Sequence, residues 1–335
     1  MMNIQVLIPD KNAPSCRFRV LQYVEPLRGF GINLEVVELS RIKSERRLSL
    51  DAAVDFDAVL LHRKLLNRFD YARLRRRARQ LIYDFDDAVM FRDSNATQQH
   101  SRMRERKWER LVSGADMVIA GNSYLADLAA GYNSEVSIIP TAIKIDHFTD
   151  KSSRASGLII GWMGTASNFI YLSLIKDSME ALLSDHPEVT FRVVSDQTPH
   201  IPGLSIDSKR WSAADEISDL AGFDICIMPI FDDPWARGKC AFKILQYFSS
   251  YLPVVCSPVG ANRDVVEEGV NGYFATSPEE WRRRLEELLA SAGERKVMGR
   301  AGRKVVEDKY SLNVMAPRLA RVLSASGAKD KEEEL

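Results

Sequence analysis

The amino-acid sequence predicts an α/β protein with two facing Rossmann-like, doubly wound domains and a cleft between them. Short apolar runs of strand length alternate with helical stretches along all 335 residues. These runs are continuously apolar, which is typical of strands covered on both faces of a parallel sheet. The polar stretch over residues 149–157 interrupts the alternation, which starts again at Leu158. This interruption predicts two domains joined by a linker.

Each half of the chain contains its own series of predicted strands. In the first half they cover residues 4–8, 34–37, 58–61, 81–83, 117–120 and 136–139, and in the second half residues 158–163, 189–194, 223–228 and 253–256. We therefore predict a first domain over residues 1–150 and a second over residues 151–310. A helix over residues 311–325 is expected to pack back toward the first domain, and residues 326–335 are expected to be a disordered tail.

Helices between the strands are predicted from apolar periodicity and capping residues. Periodicity predicts helices over residues 18–27 and 168–184. Asn122 or Ser123 is expected to cap a helix that stops at Gly131 in the left-handed conformation. Ser277 is expected to begin another helix as its N-cap residue.

Composition excludes several functional classes. The 46 basic and 46 acidic residues balance, which argues against a nucleic-acid binder and against overall disorder. The first 110 residues nevertheless carry 22 lysines and arginines against 15 acidic residues. The four cysteines lack a CxxC pair and the five histidines lack metal-ligand spacing, so we expect free thiols and no metal. With no signal peptide or membrane-spanning run recognised, the expected location is the cytoplasm.

Three segments could bind an anion, because ligands of parallel sheets lie beyond the carboxyl ends of the strands. A loop and helix start over residues 229–247 gather basic side chains around a glycine. A glycine-containing loop follows the strand at residues 158–163, and a turn follows the strand at residues 253–256. The residues concerned are Arg237, Gly238, Lys239 and Lys243, then Gly164 and Thr165, then Gly260, Ala261 and Asn262. The alternative is a solvated basic loop and ordinary βα turns.

Together these segments resemble the GT-B-fold glycosyltransferases of family four. The resemblance lies in LPVVCSPVGANRDVVEEGVNGYF, in the preceding KILQYFSSY, and in VIAGNSYLADLA followed by SIIPTAIKIDHF. The stretch WARGKCAFKILQY is similar to a subgroup of bacterial surface-polysaccharide transferases. Family members transfer a sugar with retention from a nucleotide-sugar donor to an acceptor, without a metal or other cofactor. The resemblance therefore implies a donor with UDP or GDP as the expected nucleotide, and a glycan or lipid-linked acceptor.

The resemblance also implies roles for the three segments. Lys239 and Lys243, with Arg237 as a third contact, would stabilise the leaving diphosphate. Gly164 and Thr165 would line the phosphates, and the backbone at residues 260–262 would contact the donor sugar. The family often carries two glutamates eight positions apart, for the sugar and the ribose, and here those positions hold Gly238 and Gln246. The Gln246 amide can still hydrogen-bond ribose hydroxyls.

The first domain is expected to hold the acceptor. Arg17, Arg19 and Arg63 follow predicted strands and are candidates to bind it, with His62 nearby. Asp86 or Asp87 is the candidate group that accepts the proton of the acceptor hydroxyl. Alternatively, these aspartates cap a loop or pair with Arg63 or Arg92. Asp84-Phe85-Asp86 also spells the D-x-D metal motif of the other main glycosyltransferase fold.

Two other functions and one other partner are compatible with the sequence. A nucleotide-sugar 2-epimerase shares this architecture, and a protein with a decayed site would bind nucleotide sugar without turnover. The densest basic run contains Arg73, Arg75, Arg76, Arg77 and Arg79. It is either a solvated helix face or a contact with anionic lipid headgroups on the inner face of the membrane. No nucleic-acid partner is expected.

Overall fold

A computed structural model describes residues 1–148 and 157–326. Apart from Gly157 and Ser326, the predicted linker and tail lie outside these residues. The chain forms two compact units. Unit 1 consists of Met1–Lys144, Arg237–Cys240 and residues 310–326. Unit 2 consists of residues 145–148 and 157–236 together with Ala241–Lys309. Each unit therefore contains segments that are distant in sequence.

Unit 1 is built on a six-stranded sheet with the order β2-β1-β3-β4-β5-β6. Its strands are β1 Met2–Ile8, β2 Ile32–Glu38, β3 Ala58–His62, β4 Leu81–Phe85, β5 Met117–Ala120 and β6 Val136–Ile138. Every neighbouring pair is parallel. The order reverses between β1 and β3, which is the position where parallel sheets bind ligands.

The helices of unit 1 alternate with these strands. They are α1 Pro14–Arg19, α2 Val24–Arg28, α3 Lys43–Asp51, α4 Arg68–Arg77, α5 Arg102–Gly114 and α6 Ser123–Ala130, with 3₁₀ turns at Leu21–Tyr23 and Ala52–Asp55. The predicted helix over residues 18–27 was wrong, because the chain breaks there into α1, a 3₁₀ turn and α2. Pro26 has no N–H to donate to the carbonyl of Gln22, which disfavours one continuous helix over this stretch.

The last helix of the described chain belongs to the core of unit 1. It covers Leu312–Ser326, and it is called α14 below because seven helices of unit 2 precede it. Its buried side chains recur at helical spacing and pack with those of β1, β2 and α2. They are Leu312, Met315, Ala316, Leu319, Ala320 and Leu323.

Unit 2 is built on a second six-stranded parallel sheet, with the order β12-β11-β10-β7-β8-β9. Its strands are β7 Ile159–Met163, β8 Thr190–Ser195, β9 Asp207–Arg210, β10 Ile225–Met228, β11 Val254–Cys256 and β12 Gly272–Phe274. Counted from its own first strand, this is the 3-2-1-4-5-6 order of the dinucleotide-binding fold. All four residues of β9 are exposed, so it lacks the apolar pattern by which the other strands were predicted.

The helices of unit 2 follow its strands. They are α7 Lys176–Asp185, α8 Glu216–Ala221, α9 Pro234–Arg237 (whose last residue is grouped with unit 1), α10 Phe242–Ser249, α11 Asn262–Val265, α12 Pro278–Ala290 and α13 Ala292–Val305. The segment Ala166–Ile175 is a 3₁₀ helix, and Val306–Tyr310 is a π-helical turn. The predicted single helix over residues 168–184 is thus two elements. Thr165 forms side-chain hydrogen bonds with Ser167 and Asn168, which compete with α-helical pairing.

The helix caps show where local sequence rules hold. Ser277 and Glu280 form a reciprocal capping box at the start of α12, which confirms the predicted helix start. Asn122 caps α6 by accepting from the N–H of Leu125. Gly131 ends α6 with a φ of −67°, so the predicted left-handed stop was wrong. The sheets and helices confirm the two doubly wound Rossmann-like units. Within residues 1–148 and 157–326, no helix combines the length and apolar character needed to cross a bilayer.

Candidate functional site

The carboxyl ends of β3 and β4 in unit 1 carry a buried charged network. The Arg19 guanidinium donates to both oxygens of Asp84, with Nη2 lying 2.7 Å from Oδ1. His62 Nδ1 lies 2.6 Å from the other oxygen of the same carboxylate. Arg19 also donates to the carbonyl of Ile139. The predicted acceptor contact Arg19 is therefore buried in an ion pair that orients Asp84.

This network shifts the pKa of its members. Burial lowers the pKa of His62, but its hydrogen bond to Asp84 and the surrounding carboxylates outweigh that effect and raise the pKa to about 9. Burial raises the pKa of Asp84, but Arg19 and His62 bring it below its ordinary value. Asp84 is consequently an ionised partner of two cations. The first aspartate of the D-x-D motif thus has a structural role.

Arg63, the residue after β3, holds the next two aspartates. Its Nη2 lies 2.6 Å from Oδ2 of Asp87, and its Nε lies 3.5 Å from Oδ1 of Asp86. Arg63 has a φ of 57°, in a region that long side chains rarely adopt and that concentrates at functional sites. The pairing with Arg63 that the sequence left open is present in the structure.

Asp86 and Asp87 differ in how their carboxylates are used. Oδ1 of Asp86 is buried and has no hydrogen-bond partner among the described residues. The hydroxyl of Tyr83 in β4 is also buried and has no hydrogen-bond partner among the described residues. Unpaired buried polar atoms are rare and call for an explanation such as a catalytic role. Asp86 therefore differs from Asp87, whose carboxylate is tied to Arg63.

The segment Arg237–Cys240 belongs to unit 1 and is fixed by that unit's loops. The amide of Asn122 donates to the carbonyls of Arg237 and Lys239, at 3.2 and 3.1 Å. The thiol of Cys240 lies 3.1 Å from the carbonyl of Asp86. The structure thus groups Arg237 and Lys239 with unit 1, whereas Lys243 is part of unit 2.

Gly238 is a glycine because of packing. A Cβ at this position would lie 2.6 Å from both the backbone nitrogen and the Cβ of Ala88. The glutamate that family four often carries at this position has no room for even its first side-chain carbon. The sequence predicted that Gly238 contacts the donor. Its close packing against Ala88 explains why this position holds a glycine.

We expect Gly238→Ala to destabilise unit 1 by about 1–3 kcal/mol, because the backbone of Ala88 must move to admit a methyl group. Urea or thermal unfolding of the purified variant measures this loss. Gly293→Ala is the matched control, since a Cβ at Gly293 meets nothing within 4 Å. That control should keep or slightly raise the stability. Equal stability of the two variants would contradict the packing argument.

In unit 2, the carboxyl end of β7 brings two predicted phosphate contacts together. A Cβ on Gly164 would lie 2.6 Å from Cε of Lys243, so the lysine side chain crosses directly over the glycine. The Lys243 ammonium lies 5.7 Å from the centroid of the Trp162 ring, which is cation–π range. Thr165 is exposed beside them. The structure therefore positions a cation above a glycine loop at a strand end.

The helix that carries Lys243 begins in an unusual way. Ala241 adopts a left-handed conformation with a φ of 52°, and no side chain caps the helix that starts at Phe242. A cation in the first turn is electrostatically unfavourable beside the positive end of the helix dipole. A bound anion would reverse that cost, because both the helix end and the ammonium attract it.

Gln246, one turn further along α10, is paired with a carboxylate that the sequence did not suggest. Its Nε2 donates to Oε1 of Glu216 at 3.1 Å. The indole N–H of Trp211 donates to the other oxygen of Glu216 at 3.0 Å. Glu216 lies 30 residues before Gln246, so spacing within one motif could not reveal it. A carboxylate is thus held beside the position where family four often has one.

The turn after β11 is shaped by a glycine and an asparagine. Gly260 has a φ of 53°, which favours glycine. Asn262 is buried and its amide donates to the carbonyl of Ser257 at 2.9 Å. The side chain of Asn262 therefore stabilises the turn, and any ligand contact at residues 260–262 would fall to the backbone, as the sequence suggested.

Comparison with known proteins bears on both units. Residues 158–291 match the sequence model of the family described as glycosyl transferases group 1. The spore coat protein SA of Bacillus subtilis (strain 168) is 32% identical over 74 residues, which cover 21% of this chain and 20% of that protein. The match thus spans about a fifth of the length of this curated relative.

Solved structures resemble the whole chain in fold. The HepE protein of Anabaena, solved in complex with UDP and glucose, superposes with a TM-score of 0.75 at 16% identity, covering 97% of this chain and 100% of that one. Sucrose-phosphate synthase from Thermosynechococcus elongatus gives a TM-score of 0.75 at 12% identity, covering 98% and 100%. The lipopolysaccharide outer core galactosyltransferase WaaB gives 0.69 at 12% identity, covering 97% and 99%.

The two parallel sheets and the solved structures define the GT-B fold. Residues 158–291, which form most of unit 2, match the model of the glycosyl transferases group 1 family, in agreement with the resemblance to family four.

Proposed function

We propose that this protein is a retaining glycosyltransferase that moves a sugar from a nucleoside-diphosphate sugar to a glycan or lipid-linked acceptor without a metal ion. The observation that carries the proposal is the position of Lys243. Its side chain crosses Gly164 at the carboxyl end of β7 and starts at the uncapped end of α10. A diphosphate is the ligand whose charge suits this combination.

The chemistry requires a fixed cation at the leaving group. Cleavage of the bond between the sugar and the diphosphate leaves negative charge on the phosphate oxygens and positive character on the sugar ring. A positioned ammonium and helix end stabilise that charge without reorganising. We assign this role to Lys243, with Gly164 and Thr165 lining the phosphates. The other two basic residues that the sequence suggested, Arg237 and Lys239, belong to unit 1, and their role stays a prediction.

The acceptor is assigned to the carboxyl ends of β3 and β4. Of the two aspartates that the sequence left open, we assign the proton-accepting role to Asp86. Its Oδ1 is buried and has no hydrogen-bond partner among the described residues, and Nε of Arg63 lies 3.5 Å from it. Asp87 holds Arg63, and the left-handed Arg63 aims its guanidinium at both carboxylates. Arg17, half-buried at the start of unit 1, is a further candidate to contact the acceptor.

A nucleotide-sugar panel tests this function. The chain is incubated with UDP-, GDP-, ADP- and TDP-sugars, and release of the nucleoside diphosphate is followed with and without candidate glycans. The HepE structure contains UDP and glucose, so UDP-glucose is the first donor to try. Donor-dependent nucleotide release in the presence of EDTA supports a metal-independent transferase. Epimerised sugar without transfer would instead identify a 2-epimerase, and binding without turnover a decayed site.

We further propose that Glu216 supplies the donor-side carboxylate that is missing at Gln246. The pair of Glu216 and Gln246 would bind the ribose hydroxyls together, since a carboxylate accepts and an amide donates hydrogen bonds. We expect Glu216→Gln to weaken binding of the cognate nucleoside diphosphate roughly tenfold, the size of one hydrogen bond to a charged group.

Isothermal titration of the nucleotide measures this effect. Glu294→Gln is the matched control, because Glu294 accepts a hydrogen bond from Tyr273 in the same unit. Titration with the 2′-deoxynucleotide adds a second comparison. The affinities of the wild type and of Glu216→Gln should differ less for this ligand than for the ribonucleotide. An unchanged affinity in Glu216→Gln would remove Glu216 from the donor site.

A further inference from the structure

Two neighbouring helices of unit 1 form a surface that the proposed chemistry does not use. Helices α3 and α4 lie side by side and run in the same direction. Nε of Arg46 lies 2.9 Å from Oδ2 of Asp70, and Nε of Arg73 lies 2.7 Å from Oδ1 of Asp51. These two ion pairs join the helices along their length and fix which sides face outward.

The pairs also change the role of the arginine-rich run. The sequence suggested a single helix face over residues 73–79, but α4 ends at Arg77. Arg73 is paired with Asp51, and Nη2 of Arg75 lies 2.8 Å from Asp116. Arg77 also lies 3.6 Å from Asp51, so three of the five arginines in the run pair within unit 1. A surface that binds an external anion must therefore include neighbouring residues.

Large apolar side chains are exposed on the same pair of helices. Leu48 of α3 is 70% exposed and Phe69 of α4 is 68% exposed. Phe69 precedes Arg73 and Arg76 by four and seven residues, so all three lie on one side of α4. Because Arg73 contacts Asp51 of α3, that side borders α3. Leu48 lies within one turn of Asp51 and next to Arg47, whose charge acts on Asp51.

The surface is strongly basic. The two helices contain eight lysines and arginines and three acidic residues. Arg47 and Arg76 are exposed and form no ion pair with any residue of 1–148 or 157–326. A pocket in the groove between the helices is lined by Arg73, Arg76, Arg77 and Asp51. Arg73 and Arg77 both pair with Asp51 in this pocket, so Arg76 supplies its guanidinium without an ion pair in residues 1–148 and 157–326.

We propose that this face of α3 and α4, with Leu48 and Phe69 at its centre and Arg47 and Arg76 beside them, docks on an anionic lipid bilayer. Apolar side chains insert at the level of the headgroups, and the arginines bind lipid phosphates. A nucleic acid would match the arginines alone and give no reason for an exposed leucine and phenylalanine. The inference goes beyond glycosyl transfer and does not depend on it.

Vesicle sedimentation tests the surface directly. The full chain is mixed with two kinds of vesicle. One contains phosphatidylcholine with about 30% phosphatidylglycerol, and the other contains phosphatidylcholine alone. We expect binding to the anionic vesicles that weakens as salt is raised. Leu48→Ser with Phe69→Ser should lower the vesicle partition coefficient at least about tenfold, and Arg47→Gln with Arg76→Gln should lower it by a similar factor.

A matched variant of unit 2 separates this surface from general stickiness. Val297 is 67% exposed and follows the exposed Lys296 on α13, so Lys296→Gln with Val297→Ser removes the same kinds of group elsewhere. It should bind vesicles as the wild type does. Thermal unfolding confirms that each variant is folded. Wild-type binding by either surface variant, or equal loss in the control, would overturn the proposal. Binding of a DNA duplex that is insensitive to Leu48→Ser and Phe69→Ser, in place of vesicle binding, would overturn it too.

Discussion

Replacing Lys243 by alanine is expected to lower kcat/KM for sugar transfer roughly 100-fold or more, because the leaving diphosphate loses its fixed cation. Lys243 lies over Gly164 and against Trp162, so its ammonium is already in place before the donor binds. Steady-state release of nucleoside diphosphate from the cognate donor measures the loss. Affinity for the free nucleoside diphosphate should fall less than kcat/KM, since charge grows on the phosphates only as the bond breaks.

Two further variants make this test specific. Lys243→Arg keeps the positive charge but places it on a planar guanidinium, so it should retain more activity than Lys243→Ala. Lys176→Ala removes a partly buried lysine of the same unit that is paired with Glu180, and it should leave transfer unchanged. If Lys243→Ala turns over like the wild type, the diphosphate lies elsewhere, and Arg237 or Lys239 becomes the first alternative.

Replacing Asp86 by asparagine is expected to lower kcat about 100-fold or more, with little change in donor affinity. Asparagine keeps the size of the side chain but cannot accept the proton of the acceptor hydroxyl. The carboxylate lies in unit 1, where its Oδ1 is buried and has no hydrogen-bond partner among the described residues. Transfer rates at saturating donor and acceptor, together with nucleotide titration, separate the two quantities.

Asp87→Asn is the matched control for this prediction. Asp87 is bound to Arg63, so its loss should act on acceptor KM through the arginine more than on kcat. A larger loss of kcat in Asp87→Asn than in Asp86→Asn would exchange the two assignments. Equal, wild-type values of kcat in both variants would place the proton acceptor outside this pair.

Local patterns predicted the fold well because both sheets are parallel and buried. Most of their strands are apolar runs that stand out in the sequence. The strands missing from the prediction are β9, whose four residues are exposed, and the three-residue β12. Ser277 begins α12 as predicted because a capping box involves only neighbouring residues. Helices were predicted less well where one residue breaks the pattern, as Pro26 does between Leu21 and Arg28.

The candidate site was harder to predict, because its decisive contacts join distant parts of the chain. Gly238 is explained by Ala88, which is 150 positions away, and Gln246 by Glu216. Asp86 and Asp87 are adjacent and chemically identical, so only the position of Arg63 distinguishes them. The sequence predicted that Arg237, Lys239 and Lys243 act together. That Arg237 and Lys239 belong to unit 1 depends on hydrogen bonds from Asn122, which no local pattern reveals.

The composition of the unit 1 core has a consequence for biosynthesis. Helix α14 supplies six residues, among them Met315, Leu319 and Leu323, to a core whose other buried members come from the first 142 residues. A ribosome makes the chain from its N-terminus, and domains ordinarily fold in the order in which they emerge. Here the core of unit 1 stays incomplete until α14 has been made, whereas the last member of the unit 2 core is Met298. We therefore expect unit 2 to complete its core before unit 1 does, and removal of α14 to damage unit 1 rather than unit 2.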